Sequence, residues 1–305
     1  HCCSTLLHGP NGEWFKSMME KELATGEGFI KKPLNLIDRK SVWERIQKAG
    51  LTESEVGYLW MDDSLGLILD KLDELGIADN TIVVFVSDHG SERKGSLIKT
   101  RGTEIPCLIR WPKVIKPGSV SRGLLQNTDF VPTWFELAKA KIPKNYHIDG
   151  KSLAAMFKDP AVSIRKYIYG EQGAARAIKT EAFEYISIRY TDEQITGVSS
   201  KRADRAYKTL LGLSSGISRA RYFHPDIFSA DQLYDLSKDP NSQKNVAEDS
   251  SYAKQLKKMK AILTKTVKEL GPRPYGDFVP GEGTSDAEAS QKVLDKLAAY
   301  HAKEG

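Results

Sequence analysis

Five apolar residues, Ile82-Val83-Val84-Phe85-Val86, run without a polar break and stop at Ser87-Asp88-His89-Gly90. Every one is β-branched or aromatic, and the absence of alternation predicts a strand buried on both faces. The segment before it predicts a long helix, from about Glu53 to Leu75. Thr52 and Glu55 have capping-box spacing, and Val56, Leu59, Trp60, Ile68, Leu69, Leu72 and Leu75 recur every three or four residues. Gly76 stands where a helix commonly ends on a left-handed residue. Helix, short turn, buried strand and polar residues at the strand's carboxyl end form the pattern of an open α/β sheet. Such sheets take ligands outside the carboxyl ends of their strands.

Further elements follow the same rules. A strand is predicted over Ile105–Trp111, a short one over Val120–Leu125, and a helix from Phe130 to about Ala140 behind Asp129. Ser152–Phe157 predicts one short helix. Residues 1–8 read as a buried strand ending at His8, Gly9-Pro10-Asn11-Gly12 as a turn, and Trp14–Lys21 and Lys40–Lys48 as helices. Beyond about residue 165 the pattern changes. Tyr167–Gly170, Ala177–Thr180, Tyr185–Tyr190 and Gln232–Leu236 predict short strands of an antiparallel sheet. Tyr252–Leu270 predicts an amphipathic helix, and Asp286–Lys303 an exposed tail helix. Residues 192–221 read as a mobile polar insertion and 271–285 as an irregular arm. The expected organisation is a catalytic α/β domain over residues 1–165 and a C-terminal α+β subdomain over residues 166–305.

Composition bounds the function. The chain has 305 residues, 40% of them hydrophobic and 28% charged, which predicts a packed core. The formal net charge of +5 is mild for this length and suits an anionic substrate without marking a nucleic-acid binder. Three cysteines, Cys2, Cys3 and Cys107, give neither a disulfide framework nor a zinc spacing. No apolar run is long enough to span a bilayer.

Asp88 and His89 are the first chemical candidates. A carboxylate and an imidazole at a strand mouth can reach one divalent ion, or they can cap the backbone of a polar turn. Lys94 follows a few residues later, where an ammonium can face an anion or simply solvent, with Arg93, Lys99 and Arg101 competing for that role. His8 ends its own strand and can face the same sheet edge. Asp62-Asp63 is not a ligand pair, because neighbours on a helix diverge by about 100°.

Four blocks together resemble the sulfatases of the alkaline-phosphatase superfamily. They are Met61-Asp62-Asp63-Ser64-Leu65-Gly66 through Ser87-Asp88-His89-Gly90; Lys94-Gly95-Ser96 through Ile105-Pro106-Cys107-Leu108-Ile109-Arg110-Trp111-Pro112; Asn127-Thr128-Asp129-Phe130-Val131-Pro132-Thr133; and Gln232-Leu233-Tyr234-Asp235-Leu236 with Lys238-Asp239-Pro240 and Asn245-Val246-Ala247. The resemblance implies an α/β sandwich with a smaller C-terminal subdomain and calcium-dependent cleavage of sulfate esters, on sulfated carbohydrates. It implies Asp88 and His89 as calcium ligands, Lys94 on the sulfate and its bridging oxygen, and His8 on the leaving-group oxygen. The family's nucleophile is a formylglycine made within a C-x-P-S-R motif, which these residues lack, as they lack its N-terminal Asp-Asp metal pair. The missing half is expected upstream, and residues 1–305 alone are expected to release no sulfate. A periplasmic or extracellular location follows from the same likeness. A phosphatase or phosphodiesterase of the superfamily, or a non-catalytic protein binding sulfated glycans, are the alternatives.

Overall fold

The structure is a computed structural model that describes residues 22–25, 28–31, 37–90, 96–172, 174–190, 224, 226–270 and 287–303. The chain divides into two compact units, residues 1–83 with 111–113, and residues 84–110 with 114–305. Among the described residues no helix is long and apolar enough to cross a membrane.

The first unit contains a hairpin of β1 (Glu22–Thr25) and β2 (Gly28–Lys31), then helices α1 (Arg39–Lys48) and α2 (Val56–Glu74). Asp38 caps α1 by accepting the backbone N–H groups of Lys40 and Ser41. The Thr52–Glu55 capping box is present, around a single 3₁₀ turn that leads into α2. At the other end Gly76 adopts φ +66°, and the bonds Gly76 N–H to Asp73 O and Ile77 N–H to Leu72 O close the helix. Val42, Ile46 and Val56 form the core of this unit, with Trp43, Leu59 and Trp60 packed around them. The expected buried stripe on α2 is only half realised, since Ile68 and Leu75 are exposed. The reason is length: at about 1.5 Å per residue α1 covers only the first half of its longer partner. Asp63 pairs with Arg45 of α1 through both carboxylate oxygens, so this helical aspartate ties the two helices together.

The second unit carries most of β3 (Val83–Val86), then β4 (Cys107–Arg110), its hydrogen-bonded neighbour. Both strands are half-buried, and Val86 and Leu108 are exposed, so the expectation of a strand buried on both faces is corrected. A sheet of two strands, which is all the described residues provide here, lacks the layers that would cover it. The predicted strand at Val120–Leu125 is irregular chain instead. Helices α3 (Phe130–Leu137) and α4 (Ala154–Lys158) follow.

The core lies in an antiparallel sheet of β5 (Ile168–Gln172), β6 (Ala175–Lys179), β7 (Phe183–Ile188) and β8 (Asp231–Asp235), in that order. Alternate residues point to opposite faces. Ile178, Tyr185 and Leu233 pack with Met259 and Leu263 of α5 (Ala253–Leu270). Ala177, Ile186 and Tyr234 pack on the other face with Leu97, Ile98 and with Val293 and Leu294 of α6 (Ala287–Lys303). The tail helix is therefore a core element and not the exposed helix expected. Ser290 accepts the Tyr190 N–H, and the Gln291 side chain accepts the Ala230 N–H while donating to Phe228 O. The C-terminal Leu-Tyr-Asp-Leu block is a structural lock: Asn245 accepts the Leu233 N–H and donates to Asp231 O, and Asp239 accepts the Lys244 N–H.

Candidate active site

The turn Ser87–Gly90 closes the carboxyl end of β3. Asp88 Oδ1 accepts the His89 N–H at 2.9 Å, and the Ser87 hydroxyl donates to His89 O at 2.9 Å. These bonds fix the two side chains side by side, with Asp88 Oδ2 3.2 Å from His89 Nε2. The carboxylate is largely exposed, at 83% of its side-chain surface, and the imidazole about one-third exposed, so the pair stands at the open end of the strand.

The imidazole's other nitrogen settles its tautomer. Nδ1 lies 2.8 Å from Gly90 O, and a carbonyl can only accept, so Nδ1 carries a proton. Nε2 then meets a carboxylate oxygen. A cation placed between the two atoms suits both of them. A divalent cation satisfies the arrangement, since a metal-bound histidine typically donates its remote N–H to a carbonyl in this way. The donor set thus fits a share of a metal site: one carboxylate oxygen, suited to a hard cation, and one imidazole nitrogen. No group of three or more His, Cys, Asp and Glu side chains gathers among the described residues, so Asp88 and His89 would need further ligands to hold an ion.

Why the turn adopts this shape is visible behind it. A Cβ at Gly90 would overlap the backbone carbonyl of Arg101, so only glycine fits. The Gly90 N–H donates to Gly102 O at 2.9 Å. Residues 99–103 form a tight loop in which Arg101 takes φ +60°, a left-handed conformation unusual for a non-glycine residue. Leu97 and Ile98 sink into the sheet core just before the loop and anchor it.

Two bonds from the C-terminal sheet and one from the loop after β8 grip this loop. Glu184 Oε1 accepts the Lys99 N–H at 2.8 Å, the Lys179 ammonium donates to Thr103 Oγ1, and the Thr100 hydroxyl donates to Pro240 O at 2.7 Å. Lys179 and Glu184 are cross-strand partners on β6 and β7, both buried, with Nζ 3.4 Å from Oε1. Burial drives the Lys179 ammonium below the ordinary lysine range, against the opposing pull of Glu184. Ser242 donates to the other oxygen of Glu184 at 2.8 Å. Sequence reasoning missed this group. Its signal was two charges placed among the apolar residues of strands β6 and β7, which a packed sheet admits only when they are paired.

A second buried network lies around α3. Asp129 is fully buried, pairs with Arg165, and accepts the Gln126 and Lys151 N–H groups at 2.7 and 2.8 Å. Asp129 thus closes a capping box with Gln126 and braces the chain that leads into β5. Of the predicted site residues, Asp88 and His89 stand together, while His8 and Lys94 lie outside the described residues.

A family model described as Sulfatase matches residues 56–140, the span from α2 through β3, β4 and α3. The chain is 30% identical over 214 residues to an ulvan-active sulfatase of Formosa agariphila, aligning 66% of this chain with 38% of that protein. It is 28% identical over 231 residues to an N-acetylglucosamine-6-O-sulfatase of Bacteroides thetaiotaomicron, aligning 73% of this chain with 36% of that protein. The chain therefore spans well under half the length of these curated relatives. A solved structure in complex with its substrate D-glucosamine-2-N,6-O-disulfate superposes with a TM-score of 0.50 and 23% identity, covering 75% of this chain and 45% of that one. The family model, the sequence relatives and the fold neighbour agree: residues 56–140 match the Sulfatase family, and the chain resembles the C-terminal portion of sulfatases.

Proposed function

We propose that the full-length protein is a sulfuric ester hydrolase acting on sulfated carbohydrates, and that Asp88 and His89 of this chain hold part of its divalent metal site. The observation that carries this reading is the 3.2 Å approach of Asp88 Oδ2 to His89 Nε2 at the end of β3, with Nδ1 engaged by Gly90 O. The relatives support the carbohydrate: one is named for ulvan and one for N-acetylglucosamine-6-O-sulfate, and a fold neighbour was solved with a disulfated glucosamine.

Calcium is the metal that the family resemblance implies. Bound here, it would supply positive charge to the sulfate oxygens as negative charge builds on them. This chain's own part is to orient the carboxylate and the imidazole before the substrate arrives, through the turn bonds and the Gly90 contact. Lys94 is proposed to place an ammonium on the sulfate and its bridging oxygen, and His8 to serve the leaving-group oxygen. A formylglycine nucleophile completes the set in the full-length protein. The reading also assigns residues 1–165 to the catalytic domain and residues 166–305 to the C-terminal subdomain, supported by the start of the antiparallel sheet at Ile168. It places the enzyme in the periplasm or outside the cell, where sulfated polysaccharides are met.

Sulfate release from a sulfated polysaccharide by the full-length protein, with and without a calcium chelator, tests the reading. Chelator-sensitive release supports it. Release that is indifferent to both the chelator and Asp88→Ala overturns it.

A further inference from the structure

The loop over residues 99–103 is the sole covalent stretch that touches both the back of the Asp88–His89 turn and the buried charges of the sheet among the bonds described above. We propose that Lys179 and Glu184 are positioning residues for that turn: they set the loop, and the loop sets Gly90. The inference rests on the reading of Asp88 and His89 as metal ligands for its functional meaning, and on contacts alone for its structural part.

Each link is a named contact. Glu184 bridges two segments that are remote in sequence, taking the Lys99 N–H on one oxygen and the Ser242 hydroxyl on the other. Lys179 neutralises that carboxylate and fastens Thr103 at the far end of the loop. Thr103 in turn returns its N–H to Ile98 O at 2.9 Å, closing the loop on itself. The loop then presents Gly102 O to the Gly90 N–H and lays the Arg101 carbonyl against the Gly90 Cα, where no side chain fits. Asp88 and His89 immediately precede that contact.

The chemistry of the pair argues for placement over bulk stability. Two buried charges lose hydration, and apolar residues of the same size often replace such a pair without loss. An apolar pair, however, cannot accept a backbone N–H from one segment and a hydroxyl from another. What the charges supply is a single geometry for the loop, and through it for the turn. Groups that orient a metal's ligands from behind commonly change metal affinity by about 10–100-fold when removed.

The test compares amide hydrogen exchange in the full chain, without metal, between wild type and the double variant Lys179→Met with Glu184→Met. That variant removes both charges and strands neither. The Gly90 amide is expected to exchange faster by on the order of tenfold, while Ile178 and Ile186 in the sheet keep their protection. Thr103→Val, a milder change that takes away the Lys179 acceptor, is expected to act in the same direction and covers a failure of the double variant to fold. Unchanged exchange at Gly90, or a rise matched by Ile178 and Ile186, would overturn the proposal. Calcium titration of the full-length protein by calorimetry, where wild type binds, then separates the two readings. Weaker binding in both the double variant and Asp88→Ala supports the coupling as a metal-positioning device. If Asp88→Ala binds calcium like wild type, the metal assignment fails while the exchange result still decides the coupling.

Discussion

Gly90 and Arg101 are in backbone contact so close that the carbonyl of the second occupies the place of a β-carbon on the first. That contact makes the residue after His89 a steric necessity. Gly90→Ala must push the 99–103 loop away or rotate the turn, at an expected cost of about 1–3 kcal/mol for an overpacked contact. Thermal melting of the full chain reads the cost. Metal affinity, if Asp88 and His89 are ligands, should fall further than stability alone explains, because the turn carries both side chains.

The buried pair of Asp129 and Arg165 gives a stability prediction remote from the turn. Asp129→Ala leaves the guanidinium buried without its carboxylate and also removes the acceptor for the Gln126 and Lys151 N–H groups. The expected loss is about 3–5 kcal/mol by chemical denaturation, the range for breaking one side of a buried pair.

Placement of the tail helix in the core is testable by cavity creation. Leu294 is 1% exposed against the sheet, and Leu294→Ala should cost about 2–5 kcal/mol. A surface helix would lose almost nothing by the same change.

Acid should weaken the β7–β8 region in a defined direction. Burial would by itself raise the Asp231 pKa, but hydrogen bonds from Lys260 and Tyr185 and the charge of Arg189 outweigh it, and the folded-state value lies below the ordinary 3.8. A depressed carboxylate contributes stability that is fully present above its unfolded value and is lost as pH falls through its folded one. Unfolding free energy should therefore decline below about pH 4, and Asp231→Asn should flatten that decline while lowering stability at neutral pH.

Much of the fold was legible because local rules agreed with the final packing. The Thr52–Glu55 box, the Gly76 cap, the four short strands after residue 165 and the helix over Ala253–Leu270 all follow from capping and periodicity. Burial was legible less well. The apolar run at Ile82–Val86 and the stripe on α2 foretold more covering than these elements have, since periodicity reports what a surface favours and not what lies against it. The tail helix failed in the opposite direction: Val293-Leu294 is a short apolar patch whose partners on the sheet lie far back in the chain. At the site, Asp88 and His89 could be singled out from a strand ending in polar residues. The support behind them, through Arg101, Thr103, Lys179 and Glu184, depends on contacts between distant segments, and single residues in apolar strands give little sign of such pairing.

Sulfate release by the full-length protein with and without Asp88→Ala measures most directly whether the Asp88 carboxylate serves a sulfatase site. The expected result is chelator-sensitive release from a sulfated polysaccharide and a fall in kcat/KM of about 10²-fold or more in the variant, the scale for losing one charge-stabilising group. Wild-type kcat/KM in Asp88→Ala, with the protein folded as judged by melting, would contradict it.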